Sequence, residues 1–411
     1  MRRLADGLSF PTSVAHDGDG TAYVAESGLA FGGARPGGRV LRLDAGGPTV
    51  LCDGLRAPVN GLTYHDDGFY VAEGGDPGRI SRLSLDGERT TVLDGLPGGG
   101  NYHTNTVAVG PDGRLYFGQG AMTNTGIVGL DAFDLGWLGR LHPCDVPGLD
   151  LVLAGVGVET ADPATEAGRA VTGAFSAFGV PTEPGERRPA GLPCTAAILS
   201  CEPDGGDLRL VAWGVRNAYG LGFLPDGRLL ATDQGADDRG SRPVGHAPDL
   251  LVEIREGAWY GWPDFVGGRP ITDPAFAPQR GPAPTFLLAN HDALPPPEAP
   301  LLAFPVNAAA TKFDVVPAGP HAGQILVTLF GDEKPMTAPP GARVGRSVAR
   351  VDPADWSLHP IAPGPWARPI DVRCAPDGAS CVVLDFGAFE MTAHGVDAAA
   401  GSGALWHVPL A

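Results

Sequence analysis

The stretch NGLTYHDDGFYVAE at residues 60–73 decides the fold: two short apolar runs, a tight turn at Asp66-Asp67-Gly68, and an acidic residue, Glu73, at the end. Its pattern returns along the chain. SVAHDGDGTAYVAE occupies 13–26, VAVGPDGRLYFG 107–118, GLGFLPDGRLLATD 220–233 and IDVRCAPDGASCVVLD 370–385. A degenerate copy lies in FDVV at 313–316 and QILVT at 324–328. Apolar runs on either side of Asp-Gly mark a β-hairpin, because glycine takes positive φ freely and aspartate hydrogen-bonds its own backbone. Between the copies lie further strand-like runs, such as RVLRL at 39–43 and RISRL at 79–83. Two hairpins per unit make a four-stranded antiparallel blade, and six such units predict an all-β, six-bladed propeller. The last run, ALWHVPL at 404–410, is expected to share a blade with the N-terminal strands and close the ring without a free edge.

The composition agrees. Gly 62 and Pro 41 make up a quarter of the 411 residues, about twice the usual share. They fall between apolar runs, as tight turns require. Because blades pack only on their neighbours, the whole chain, 1–411, reads as one domain. Two Pro- and Gly-rich insertions break the rhythm, at about 127–193 and 262–300. Long loops of this kind are commonly functional, and these are expected to roof the axial pocket.

The formal net charge is −18, and no Lys/Arg stripe is present, which argues against nucleic acid and anionic membranes as partners. The acidity serves solubility or gives an electronegative mouth that attracts a metal ion. No apolar run is long enough for a signal peptide or a membrane span, so the sequence as it stands reads as cytoplasmic, or as exported if a leader has been removed. A closed ring with few free edges favours a monomer. Of six cysteines, Cys374 and Cys381 flank a hairpin turn, and Cys144 and Cys194 bracket the first insertion; each pair reads either as a disulfide or as free buried thiols.

Propeller sites gather at one end of the axis, so polar residues at the ends of repeat strands are the candidates. His103, in GGGNYHTNT at 98–106, precedes an innermost strand and is suited to take a proton from a hydroxyl near neutral pH. The alternative is a histidine that hydrogen-bonds a neighbouring loop. Arg216 and Asn217 begin the fourth repeat, and an arginine fork there suits a carboxylate or an inter-blade salt bridge. The acids and free carbonyls of 233–238 are hard oxygen donors of the kind calcium prefers. Lys334, Arg368 and Asp385 hold comparable places in the fifth and sixth units, and Gln119 follows the third. Nucleophile-elbow, P-loop and dinucleotide signatures are absent.

WGVRNAYGLGFLPDG at 213–227, TDQGADDRG at 232–240 and YGWP at 260–263 together resemble the glucose/sorbosone dehydrogenase family, most clearly over 100–125 and 211–265. The resemblance implies a six-bladed propeller that binds pyrroloquinoline quinone (PQQ) with calcium and oxidises a sugar, polyol or aldose-like hydroxyl. It assigns the quinone carboxylates to Arg216, Asn217, Lys334, Arg368 and Gln119, with Asp385 in the same pocket. Calcium falls to the carbonyls of Gly235 and Ala236, and the hydroxyl proton to His103 or to Tyr102. An electron acceptor completes the cycle. Three positions depart from the family pattern. Tyr102 stands in the register of the family's base, one residue before His103; Ile370 replaces an arginine; Asn307 replaces a histidine. These departures leave two further readings: a non-redox enzyme of the same funnel (lactone hydrolysis, isomerisation or cyclisation) and a non-catalytic binding scaffold.

Overall fold

The computed structural model describes residues 1–134, 144–162, 168–361, 363–392 and 395–410. Six four-stranded antiparallel sheets follow one another around a ring. Their innermost strands are Pro11–His16, Val59–His65, Thr104–Val109, Ala218–Phe223, Ala310–Val315 and Pro369–Cys374. The sixth blade is closed as the sequence predicts: its outermost strand is Arg2–Leu8, paired with the C-terminal strand Gly403–Pro409.

The repeated hairpin explains the blades. Asp17, Asp112, Asp226 and Asp377 each accept a hydrogen bond from the backbone N–H two residues on, at 2.9–3.2 Å. That contact bends the chain back between the first and second strands. Apolar positions on both faces of each blade then pack on its neighbours. Tyr23 and Val40 of blade one meet Leu62 and Phe69 of blade two. Leu326 and Val348 of blade five meet Val372 and Val383 of blade six. The core is therefore a ring of inter-blade layers rather than a single centre.

The acidic residue that ends the second strand of four of the six blades has a structural role. Glu26 accepts from the Ser9 N–H at 2.7 Å, Glu73 from Arg56 at 2.6 Å, Asp233 from Asn217 at 2.8 Å and Asp385 from Arg368 at 2.7 Å. Each ties the end of its blade's second strand to the segment leading into the innermost one. The repeat signature is thus a stitch between strands, not a ligand set.

The insertions settle against the outside of blades three and four and against each other. Phe175 packs on Trp213 and Trp262, and Leu153 bridges to Leu288. Neither described part of them contributes a wall residue to the axial cavity, so the expected roof is not formed there. All six cysteines are free thiols. Cys374 and Cys381 do face each other in strand register, and both are unpaired.

Candidate functional site

A cavity of about 520 Å³ opens at the ring end where the segments leading into the innermost strands converge with those leaving the second strands. Its floor takes one residue from the same repeat position of each blade: Thr12, Asn60, Asn105, Tyr219, Thr311 and Ile370. In every blade the pairing register shifts at this position, between Pro11 and Ser13, Val59 and Gly61, Thr104 and Val107, Ala218 and Gly220, Ala310 and Phe313, and Pro369 and Asp371. A bulge bends the strand and re-aims its side chains. Beneath the floor the axis is plugged by Lys312. Its buried amine donates to the Thr12 carbonyl at 2.7 Å and the Asn60 carbonyl at 2.5 Å and lies 3.9 Å from Asp371. Burial pushes its pKa down to about 7.

Four amides run along the wall. Asn60 donates to Asn105 at 3.3 Å, Asn105 to Asn217 at 2.8 Å, and Asn217 to Gln234 at 2.8 Å. Gln234 ends the chain on the Ala310 carbonyl at 3.3 Å. Directed chains of this kind fix which end of each amide is donor and which acceptor, and so pre-organise the polar side of the pocket.

Tyr102 and His103 both line the cavity. The loop before them is held close because Gly98 and Gly100 pack where no Cβ fits: one would meet the Gly75 carbonyl oxygen at 1.7 Å, the other the Met122 Cα at 2.5 Å. The Tyr102 hydroxyl donates to Asp237 at 3.2 Å and accepts from Arg239 at 3.3 Å and from Arg216. Burial pushes its pKa up to about 12 against the pull of Arg216. The phenol is therefore a fixed hydrogen-bonding post, not a base.

Arg216 is on the wall but faces inward. Its Nε donates to the Asn124 carbonyl at 3.0 Å, and its Nη1 to the carbonyls of Gln234 at 3.0 Å and Gly235 at 2.6 Å. Its Nη2 meets Tyr102, Asn124 Oδ1 at 2.7 Å and Asp237 at 3.0 Å. These six acceptors exceed the five N–H groups of a guanidinium. Arg368 is fully buried and is likewise engaged, by the carbonyls of Phe389, Gly331 and Asp332 and by Glu390. The Lys334 amine donates to the Ala342 carbonyl at 2.8 Å, away from the wall. Gln119 occupies the repeat position of Glu73 and stitches its own blade, accepting from Thr104 at 2.9 Å and donating to Pro97 at 2.9 Å. Asp385 does the same in blade six. Of the sequence-derived set the wall thus holds Tyr102, His103, Arg216, Asn217, Gly235 and Ala236, and leaves out Gln119, Lys334, Arg368 and Asp385.

Of the wall carboxyls that were not among the candidates, two matter most. Asp249 accepts from the N–H groups of Gly235 and Ala310, both at 2.8 Å, and burial pushes its pKa up to about 6. Glu333, one residue before Lys334, lies half-buried on the wall. Its carboxyl meets no hydrogen-bond donor among the described residues, and loss of solvent pushes its pKa up to about 7.

No family profile and no curated protein matches the chain by sequence. Among solved structures, a putative oxidoreductase (glucose dehydrogenase) from Thermus thermophilus matches 100% of this chain and 99% of its own at TM-score 0.58 and 17% identity. The chain has the fold of the soluble sugar dehydrogenases. The PQQ-bound aldose sugar dehydrogenase of Streptomyces coelicolor matches 100% of this chain and 96% of its own, at TM-score 0.57 and 17% identity. The apo-form soluble aldose sugar dehydrogenase of Escherichia coli matches 99% and 98%, at TM-score 0.57 and 14% identity.

Against this fold the donors do not fit PQQ. The carboxylate-rich quinone needs cations that point into the funnel, whereas the wall offers Arg216 with its donors already engaged. It also offers five acids: Asp76, Asp237, Asp249, Asp332 and Glu333. The Gly235 carbonyl, which the resemblance gives to calcium, already carries the Arg216 guanidinium. A divalent ion there would sit beside that fixed positive charge.

Proposed function

We propose that the protein is an enzyme that transforms a hydroxyl-bearing small molecule, of sugar or polyol type, by proton transfer in the axial funnel. The observation that carries this reading is Glu333, a wall carboxyl without a hydrogen-bond donor among the described residues, whose pKa is pushed up to about 7. An acid so placed is poised to give or take a proton at neutral pH. Asp249 supplies a second wall carboxyl, and His103 a third titratable group. The amide chain through Asn60, Asn105 and Asn217 orients hydroxyls, and the floor position of Tyr219 limits depth. Isomerisation or ring closure would need no group beyond these side chains, and lactone hydrolysis would need only a water molecule besides. The non-catalytic scaffold reading gives no reason for a lone carboxyl of this kind in a cavity.

A second reading, a quinone-dependent oxidoreductase of sugars, is favoured by the whole-chain likeness to a PQQ-bound enzyme and by Arg216 and Asn217 standing on the wall. It requires Arg216 to release the Gly235 carbonyl. The cysteines left as thiols, above all the facing pair Cys374 and Cys381, support a reducing, cytoplasmic location. A panel of sugars, polyols and lactones in deuterated buffer, followed by NMR without any electron acceptor, tests the leading reading. Conversion or deuterium incorporation that disappears in Glu333→Gln supports it. Turnover that appears only with PQQ, calcium and an acceptor dye gives the funnel to the second reading.

A further inference from the structure

The funnel has two unlike walls. On the side of blades two to four stand the amides, Tyr102, His103 and Asp237. On the side of blades five, six and one stand Phe330, Phe386, Phe389 and Phe31, joined by Ile370 and Met391. Glu333, three residues after Phe330, stands where this side meets the polar one, near Asp237. These rings form a continuous surface. Phe31 lies 5.7 Å from Phe389, Phe389 5.5 Å from Phe386 at 86°, and Phe386 5.4 Å from Phe330 at 70°. Phe10, fully buried, backs them at 5.2 Å from Phe386. Arg368 lies over the Phe330 ring at 4.9 Å, its hydrogen bonds all made to the protein. The rings thus present edges and faces to the cavity, and the Arg368 charge behind them is held by the protein.

A free sugar or polyol would leave this wall against water. A cavity that is apolar on one side and bears fixed polar groups on the other matches a ligand with the same division. We propose that the substrate carries an uncharged planar ring seated on Phe31, Phe330, Phe386 and Phe389, with its hydroxyl-bearing part turned toward Asn217, Tyr102 and Glu333. This rests on the proton-transfer reading of the same funnel and names its substrate class: an aryl-bearing polyol, of which an aryl glycoside is the simplest form. Among the described residues no arginine or lysine of the wall has donors left for an anionic substituent on that ring, since Arg216 is fully engaged, and Glu333 stands beside Phe330.

The test is binding, by calorimetry on the whole protein, of phenyl β-glucoside, glucose and 4-carboxyphenyl β-glucoside. Phenyl β-glucoside is expected to bind at least about tenfold tighter than glucose, and the carboxylate on the ring to remove that gain. Phe31→Ser, at a half-buried loop position, and Phe389→Leu, which keeps bulk but loses the ring, should each reduce the ratio at unchanged melting temperature. Equal affinities for the first two probes, no binding of phenyl β-glucoside at millimolar concentration, or an unchanged ratio in both folded variants would overturn the proposal. Glu333→Gln separates the two claims. If it retains phenyl β-glucoside binding while no panel compound is converted by the wild type, the ring site stands and the proton-transfer reading falls. If glucose is converted without any preference for the phenyl compound, the reverse holds.

Discussion

Replacing Arg216 with alanine separates a structural arginine from a ligand grip. In the protein as described, the guanidinium is almost fully buried and bonded to Asp237, Tyr102, Asn124 and two carbonyls. Removing one partner of a buried ion pair costs about 3–5 kcal/mol, because the remaining acid and carbonyls lose their donors. Unfolding entropy of about 2.1 cal/mol/K per residue over 411 residues gives about 0.9 kcal/mol/K. The melting temperature of the ligand-free protein should therefore fall by about 3–6 °C. Urea unfolding followed by tryptophan fluorescence measures the same loss. An arginine held for a ligand would behave differently: its removal from the free protein would change stability by about 0.5 kcal/mol or less. A loss below about 1 kcal/mol in Arg216→Ala refutes the assignment of these donors to the fold.

Further outcomes follow from the same geometry. Glu333 has a folded pKa raised above its unfolded value, so its favourable contribution is present below about pH 4.5 and is lost as pH rises through about 7. Glu333→Gln should accordingly match the wild type in denaturant midpoint at pH 4 and exceed it at pH 8, by at most about 3 kcal/mol, while conversion is lost. The pH–rate profile of the wild type should show one limb near pH 7. Glu26→Ala and Asp385→Ala should each destabilise by about 1–3 kcal/mol, since both leave backbone donors unsatisfied at the same repeat position. Lys312→Met should destabilise by about 1–3 kcal/mol in urea unfolding, because the Thr12 and Asn60 carbonyls and the buried Asp371 lose their donor. Lys312→Ala should lose about 2–5 kcal/mol through the cavity it opens beneath the floor.

The ring was legible because its signal is local and repeated. Asp-Gly turns and alternating apolar runs fix six hairpins, and a C-terminal run with no partner of its own points to the N-terminal strand that closes the last blade. The site was legible in place but not in detail. Arg216 and Asn217 could be put on the funnel wall from their position before an innermost strand. The partners that engage Arg216, Asn124 and Asp237, lie 92 and 21 residues away, and no spacing rule joins them. Gln119 and Asp385 were read as ligands, although their shared repeat position with Glu26, Glu73 and Asp233 already marked a common structural task. Glu333 was passed over for Lys334, because strand parity ends at Leu329 and cannot say which of Asp332, Glu333 and Lys334 faces inward. Phe31 and Phe389 have no counterparts in the repeat, so their meeting across the closure of the ring had no signature.

The central claim is that the cations of this propeller are turned into the fold and away from the funnel. Titrating the purified protein with PQQ, with and without calcium, tests it most directly, with absorbance and melting temperature followed together. The account predicts no saturable absorbance change and no rise in melting temperature up to millimolar quinone. A saturable, calcium-dependent shift with a matching thermal stabilisation would contradict it and return Arg216 to the cofactor.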